Sequence, residues 1–281
     1  MNYITIKAQR FMKIKIPEPF RCNGNNKTFF NKLTQFILYQ YDTYCKELDL
    51  FTKKKAPFFI GFNGSVASGK SFFAEQFYDH LKNNCKLKTG IISTDNFIMP
   101  NKNLEKKKIM HRKGFPESYD VEALMSTLQS LKNHKSVKIP LYDQSISDIS
   151  SKKHMIPSGL DIIIIEGINI LQVGAIVKGK RKGVLISDYL DYSIYIDARE
   201  RYLKDWFYRR LVKKKSKWKK ARIKKNLTRK NRKEFRKWAM DIWRSVNKVN
   251  LDNYILPFKE RADLILFKAH NHSIKEMAIR I

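Results

Sequence analysis

The stretch Gly64-Ser65-Val66-Ala67-Ser68-Gly69-Lys70-Ser71 decides how this chain is read. Two glycines five residues apart, followed by a lysine and a hydroxyl residue, make a compact anion cup. Glycine has no Cβ, so backbone N–H groups can turn inward around phosphate oxygens. A helix beginning near Lys70 would aim its positive end at the same anion. Lys70 supplies an ammonium for the β and γ oxygens, and the Ser71 hydroxyl can ligate Mg²⁺. Both flanks suit this reading. Pro57 and the run Phe58-Phe59-Ile60-Gly61-Phe62 read as a strand. Phe73, Phe77 and Leu81 recur at i, i+4 and i+8, which predicts a helix from Ser71 onward.

Further strands are expected at Gly90 to Thr94, Asp161 to Ile165, Tyr192 to Ile196 and Ala262 to Phe267. The Asp161 run is continuously apolar, as a strand buried on both faces should be. Strands alternating with helical patterns predict an α/β fold with a mainly parallel sheet. Together with the cup this is a P-loop NTPase three-layer fold. Residues 1–55 read as a helical extension and 56–281 as the P-loop domain, with a basic helical lid at about 199–250. The polar, turn-rich segment Asn101 to Asp120 reads as an active-site loop.

Composition narrows the function classes. With 43% apolar residues, 18 Phe and 13 Tyr among 281, the chain can bury a sizeable core, which excludes general disorder. No apolar run approaches the roughly 20 residues of a membrane span, and no secretion signal opens the chain. The three cysteines, Cys22, Cys45 and Cys85, are widely spaced, which suits reduced thiols in the cytoplasm. Net charge is +31. About half of it lies in Lys204 to Lys237, where 18 Lys or Arg face only Asp205 and Glu234. A nucleic-acid footprint is one reading of this tract. A lysine-rich composition and a solvated face that gathers phosphate-bearing substrates is the other, and the one favoured here.

Two carboxylates stand where chemistry would need them. Asp95 follows the Gly90 strand, beyond whose carboxyl end ligands bind in open parallel sheets. There it can accept a proton from an attacking hydroxyl or help to hold Mg²⁺; an aspartate in that place is equally often a helix cap. Glu166 ends the buried Asp161 strand, the Walker-B arrangement for Mg²⁺ and its waters.

Four segments in order resemble type I pantothenate kinases. They are Gly64 to Ser71, Arg112-Lys-Gly-Phe-Pro-Glu-Ser-Tyr-Asp120, Glu166-Gly-Ile-Asn-Ile-Leu-Gln172 and Ser187 to Ala198. Asn247-Lys-Val-Asn-Leu251 and Ile255-Leu-Pro257 fit the same family's C-terminal part, so the likeness runs from about Pro57 to the end. It implies a cytoplasmic homodimer that uses ATP and Mg²⁺ to phosphorylate the primary hydroxyl of pantothenate, the entry to coenzyme A. It further implies that Asp95 is the base, that Lys70 and Ser71 serve nucleotide and metal, and that Arg210 reaches the transferring phosphate. Tyr142 and Asn247 match substrate contacts, and Asn271-His272 matches a position near the adenine.

The chain departs from the family at three sites. Gln144 replaces a histidine and can hydrogen-bond without carrying charge. Phe207 stands where the pocket usually has an aromatic hydroxyl. Glu75 replaces an arginine that contacts inhibitory coenzyme A, so feedback inhibition is expected to be weak. Other functions remain open. One is a P-loop kinase of the uridine kinase or phosphoribulokinase kind, acting on another small hydroxyl substrate; the other is a nucleic-acid-binding protein on a decayed kinase scaffold.

Overall fold

Runs such as Ile162-Ile163-Ile164-Ile165 have no polar side to turn outward, so they can only form the middle of a sheet covered on both faces. The computed structural model of the chain describes residues 2–15, 28–51, 56–85, 87–172, 176–177, 180–181, 185–222 and 224–281. The chain runs through β1 (Tyr3–Lys7), α1 (Ala8–Phe11), α2 (Phe29–Phe51), β2 (Phe58–Gly64), α3 (Lys70–Asn84) and β3 (Thr89–Ser93). Then come α4 (Asn101–Lys106), α5 (Val121–Lys132), the hairpin β4 (Val137–Asp143) and β5 (Asp148–Ile156), and β6 (Ile162–Glu166). A small ladder, β7 (Ile176–Val177) and β8 (Lys180–Arg181), precedes β9 (Tyr192–Ala198). The region expected to form a lid comprises α6 (Glu200–Lys220), α7 (Lys225–Thr228), α8 (Arg232–Ile242) and α9 (Lys248–Asn250). The strands β10 (Leu264–Lys268) and β11 (Ile274–Arg280) finish the chain.

The main sheet has the order β1-β11-β10-β9-β2-β6-β3. Neighbours from β10 to β3 are parallel, whereas β11 pairs antiparallel with both β10 and β1. Every residue of β2 and β6 is buried. Alternate side chains divide between two cores. Phe58, Ile60, Phe62, Ile162 and Ile164 meet Leu33 and Ile37 of α2 and Phe77 and Leu81 of α3. Phe59, Ile163 and Ile165 face the opposite layer, where Leu128, Leu203, Trp206 and Phe235 come from α5, α6 and α8. The three-layer expectation therefore holds, each buried Leu, Ile or Phe contributing roughly 1.5–3 kcal/mol. All five expected strands are present, each within two residues of its expected start.

The N-terminal extension is helical in α2 but opens with a strand, correcting the helical reading of residues 1–55. Tyr3–Lys7 pairs with β11 in the register Tyr3↔Arg280, and the Tyr3 hydroxyl donates to the Ala262 carbonyl at 2.7 Å. Its partner lies at the far end of the chain, so no local pattern announces it. Residues 16–27 and 52–55 lie outside those described. The hairpin β4–β5 is a second addition, and Gln144 in its turn reaches Asp95, just past the carboxyl end of β3. The expected loop from Asn101 to Asp120 contains α4 and two short 3-10 turns. The Asn250 amide ties it to the lid, donating to the Gly114 carbonyl at 2.6 Å. Among the described residues no helix is long and apolar enough to cross a membrane. Cys85 is disulfide-bonded, so the expectation of reduced thiols fails there; Cys22 lies outside the described residues.

Candidate active site

β2 ends at Gly64, and α3 starts at Lys70 with Gly69 as its N-cap in the left-handed region, φ +89°. Gly64 has φ +148°, and a Cβ there would lie 2.6 Å from the Ile196 carbonyl oxygen of β9. The turn between them is thus shaped by backbone that only glycine tolerates. Ser65 and Ser68 are buried, and their hydroxyls have no partner among the described residues. A phosphate seated in the cup would give such groups one, so the residues present fit that ligand. Lys268, at the end of β10, donates to the Ser68 carbonyl at 2.8 Å and so brings a second ammonium to the loop. Burial lowers its pKa.

Glu166 ends β6 beside Ser71, as the strand-end argument requires. The Ser71 hydroxyl donates to Glu166 Oε2 at 2.9 Å, and the Ser93 hydroxyl donates to Oε1. A hydroxyl and a carboxylate side by side at the cup are oxygen donors of the kind that Mg²⁺ takes in company with phosphates and water. Among the described residues no three His, Cys, Asp or Glu side chains gather as an all-protein metal site.

Asp95 lies in the 3-10 turn Thr94–Phe97 that follows β3. Burial pushes its pKa up; Lys70 opposes this, Glu166 adds to it, and Arg210 and Lys214 oppose it. Of the groups named from the sequence, Lys70, Glu166 and Arg210 are therefore within electrostatic reach of Asp95. The Tyr119 hydroxyl faces the carboxylate, and burial together with the Asp95 charge drives the Tyr119 pKa far up. Gln144 Nε2 donates to Asp95 Oδ2 at 3.4 Å. Tyr142 reaches the same place from β4. Its N–H donates to Asn96 Oδ1 at 2.9 Å, and burial beside Asp95 and Asp148 pushes its hydroxyl up to about 12.

The lid contributes through α6. Phe207, Arg210 and Lys214 recur at i, i+3 and i+7, which puts them on one helix face. Burial lowers the Arg210 pKa and the Asp95 charge opposes it. Phe207 is buried against Trp243, ring centroids 5.7 Å apart. Trp243 and Asn247 open and close a π-turn, a distortion frequent at functional sites. Both are buried, and Trp243 Nε1 and Asn247 Nδ2 have no partner among the described residues.

On the nucleotide side, a cleft of about 950 Å³ is lined by Lys70, Ser71, Trp206, Arg210 and His272, among others. His272 stacks on Trp206 with centroids 4.2 Å apart and planes 25° apart, and burial is the largest cause lowering its pKa. Glu75 is exposed on α3, one turn beyond Ser71. Sequence reasoning missed Trp206, Lys268 and Lys214, and it did not single out Tyr119 within its segment. Nothing local marks two more lysines in so basic a chain; only the end of a strand, in the case of Lys268, hinted at a site. Part of the basic tract turns inward: Lys224 Nζ donates to Ser147 Oγ at 2.9 Å and lies 4.6 Å from the Trp218 ring centre.

A phosphate cup under a cation-bearing lid, facing a strand-end carboxylate, defines the class: a P-loop α/β kinase. The Phosphoribulokinase / Uridine kinase family matches residues 59–216. Pantothenate kinase of Streptococcus gordonii is 37% identical over 236 residues, 82% of this chain and 74% of that protein. Pantothenate kinase of Coxiella burnetii is 36% identical over 239 residues, 80% and 72% of the two chains. The chain belongs to the Phosphoribulokinase / Uridine kinase family and, within it, groups with the pantothenate kinases. In fold it resembles D-glycerate 3-kinase from Cryptococcus neoformans, with 15% identity, TM-score 0.60 and coverage of 89% and 98%. It also resembles the YGR205w protein, with 22% identity, TM-score 0.59 and coverage of 89% and 99%.

Proposed function

We propose that the chain transfers the γ-phosphoryl group of ATP to the primary hydroxyl of pantothenate, giving 4'-phosphopantothenate and ADP. The observation that carries this reading is that Lys70, Ser71 and Arg210 line one cleft, with Glu166 bonded to Ser71 and with Asp95 within electrostatic reach of Lys70 and Arg210. Asp95, its proton affinity raised by burial, orients the hydroxyl and takes its proton as oxygen bonds to phosphorus. The bond from the γ-phosphorus to the bridging oxygen breaks, and the electron pair leaves with ADP. Lys70 and Arg210 offset charge on the transferring group, positioning and neutralisation being most of what a loose transition state requires. Ser71 and Glu166 would hold Mg²⁺, which would offset phosphate charge when bound. Trp206 and His272 give the adenine an aromatic wall. Tyr142, Asn247 and the apolar Phe207 receive the amide and carboxylate arm of pantothenate.

A cytoplasmic location belongs to the same proposal, supported by the need for ATP. So does a homodimer, supported by the resemblance alone and readable by sedimentation. The test is a substrate panel with labelled ATP. Pantothenate should be phosphorylated well above uridine and ribulose 5-phosphate; a preference for either of those would replace this reading with the other kinase one.

A further inference from the structure

We infer that Lys214 is a positioning residue of the transfer site: acting through Gln144, it orients the Asp95 carboxylate toward the substrate hydroxyl. The inference rests on the reading of Asp95 as base. Lys214 Nζ on α6 donates to Gln144 Oε1 at 3.0 Å, and Gln144 Nε2 donates to Asp95 Oδ2 at 3.4 Å. Three separate segments are joined by this chain of bonds: the lid helix, the β4–β5 turn and the turn after β3.

The polarity of the relay follows from the groups at its ends. An ammonium can only donate and a carboxylate can only accept, so the amide between them has one consistent orientation. With the ammonium removed, the Gln144 amide can rotate by half a turn and present its oxygen to the carboxylate. Asp95 then loses the Gln144 donor. Gln144 occupies the place where the resemblance expects histidine, a residue able to donate and carry positive charge at once. Here the two properties are divided. Gln144 donates, and Lys214 supplies the charge one bond further out. Asp95 feels that charge, and Arg210, Lys224 and Lys217 are the cations that face Lys214 itself. Arg210 lies one helical turn before Lys214, so the helix that brings a cation to the phosphate also fixes the base.

The experiment is steady-state kinetics of the full chain with pantothenate and ATP. Lys214→Met and Gln144→Met should each lower kcat about ten-fold and leave the KM for ATP within about two-fold. The double variant should fall no further than either single one, because both break the same relay. Lys214→Arg should retain activity, and Gln144→His should restore it in the Lys214→Met background. Multiplying losses in the double variant, or a Lys214→Arg enzyme as poor as Lys214→Met, would overturn the relay. So would a raised KM with kcat unchanged, the mark of a simple lid tether. If the unaltered enzyme shows no pantothenate-dependent turnover, the reading of Asp95 fails and the inference goes with it.

Discussion

Replacing Gly64 by alanine tests the phosphate cup at the position where the backbone leaves least choice. Two costs arise there. At φ +148° an L-residue is held in a region that is essentially glycine-only, a strain of about 2 kcal/mol. The new Cβ would also lie 2.6 Å from the Ile196 carbonyl oxygen. That oxygen belongs to β9, paired with β2, and cannot swing aside as a side chain would. Relieving the overlap should cost roughly 2 kcal/mol more. The sum corresponds to a fall in Tm of about 8 °C for a chain of this size. Gly69→Ala is the internal control. Its φ of +89° costs about 1–2 kcal/mol, but its Cβ would meet only the far end of the long Lys268 side chain, at 2.9 Å. A fall of roughly 3 °C is expected there. Thermal melts with and without saturating ATP give both readings. Gly64→Ala should lose most of the ATP-dependent rise in Tm as well. Equal Tm values for the two variants, or an undiminished ATP response in Gly64→Ala, would refute the reasoning.

Lys268→Met should raise the KM for ATP about ten-fold, by removing the ammonium that braces the Ser68 carbonyl, with kcat changed less; initial-rate kinetics would show it. The pH profile of kcat/KM should fall as pH rises through about 8, where Lys214 loses its proton. Burial and the neighbouring Arg210 and Lys224 hold that ammonium down, with Asp95 opposing, so its charge is present below that pH and gone above it. Lys214→Arg should remove this limb, and a limb that persists in that variant belongs to another group. Coenzyme A should compete weakly with ATP, because Glu75 sets a negative charge one turn from Ser71. Glu75→Arg should tighten inhibition by roughly ten-fold in a titration against ATP.

The parallel strands were legible because each is a short apolar run ending at a turn signal, and β2 and β6 have no polar face to confuse the pattern. The antiparallel strands β1 and β11 were not. Their pairing spans the whole chain, and Ile-Thr-Ile-Lys is too short and too polar to stand out. The hairpin strand β5 was missed for a related reason: Asp148–Ile156 is largely polar and partly exposed. In the site, position pointed to the phosphate cup and Glu166 and left Asp95 balanced between base and helix cap, since strand ends and helix starts are where a parallel sheet gathers ligands. The resemblance added Arg210, Tyr142, Asn247 and His272, which composition could not have separated from ordinary surface residues. Lys214, Lys268 and Trp206 became visible only with the fold. Their meaning lies in what stands opposite: an amide, a loop carbonyl and an imidazole, each distant in sequence.

ADP release followed with and without pantothenate, in the unaltered enzyme and in Asp95→Ala, bears most directly on the chemistry assigned to this site. The intact enzyme should consume ATP only when pantothenate is present. Asp95→Ala should be slower by a factor of about 10²–10⁴ while still binding ATP. Turnover that ignores pantothenate, or an alanine variant as fast as its parent, would contradict a carboxylate working beside a lysine-held triphosphate.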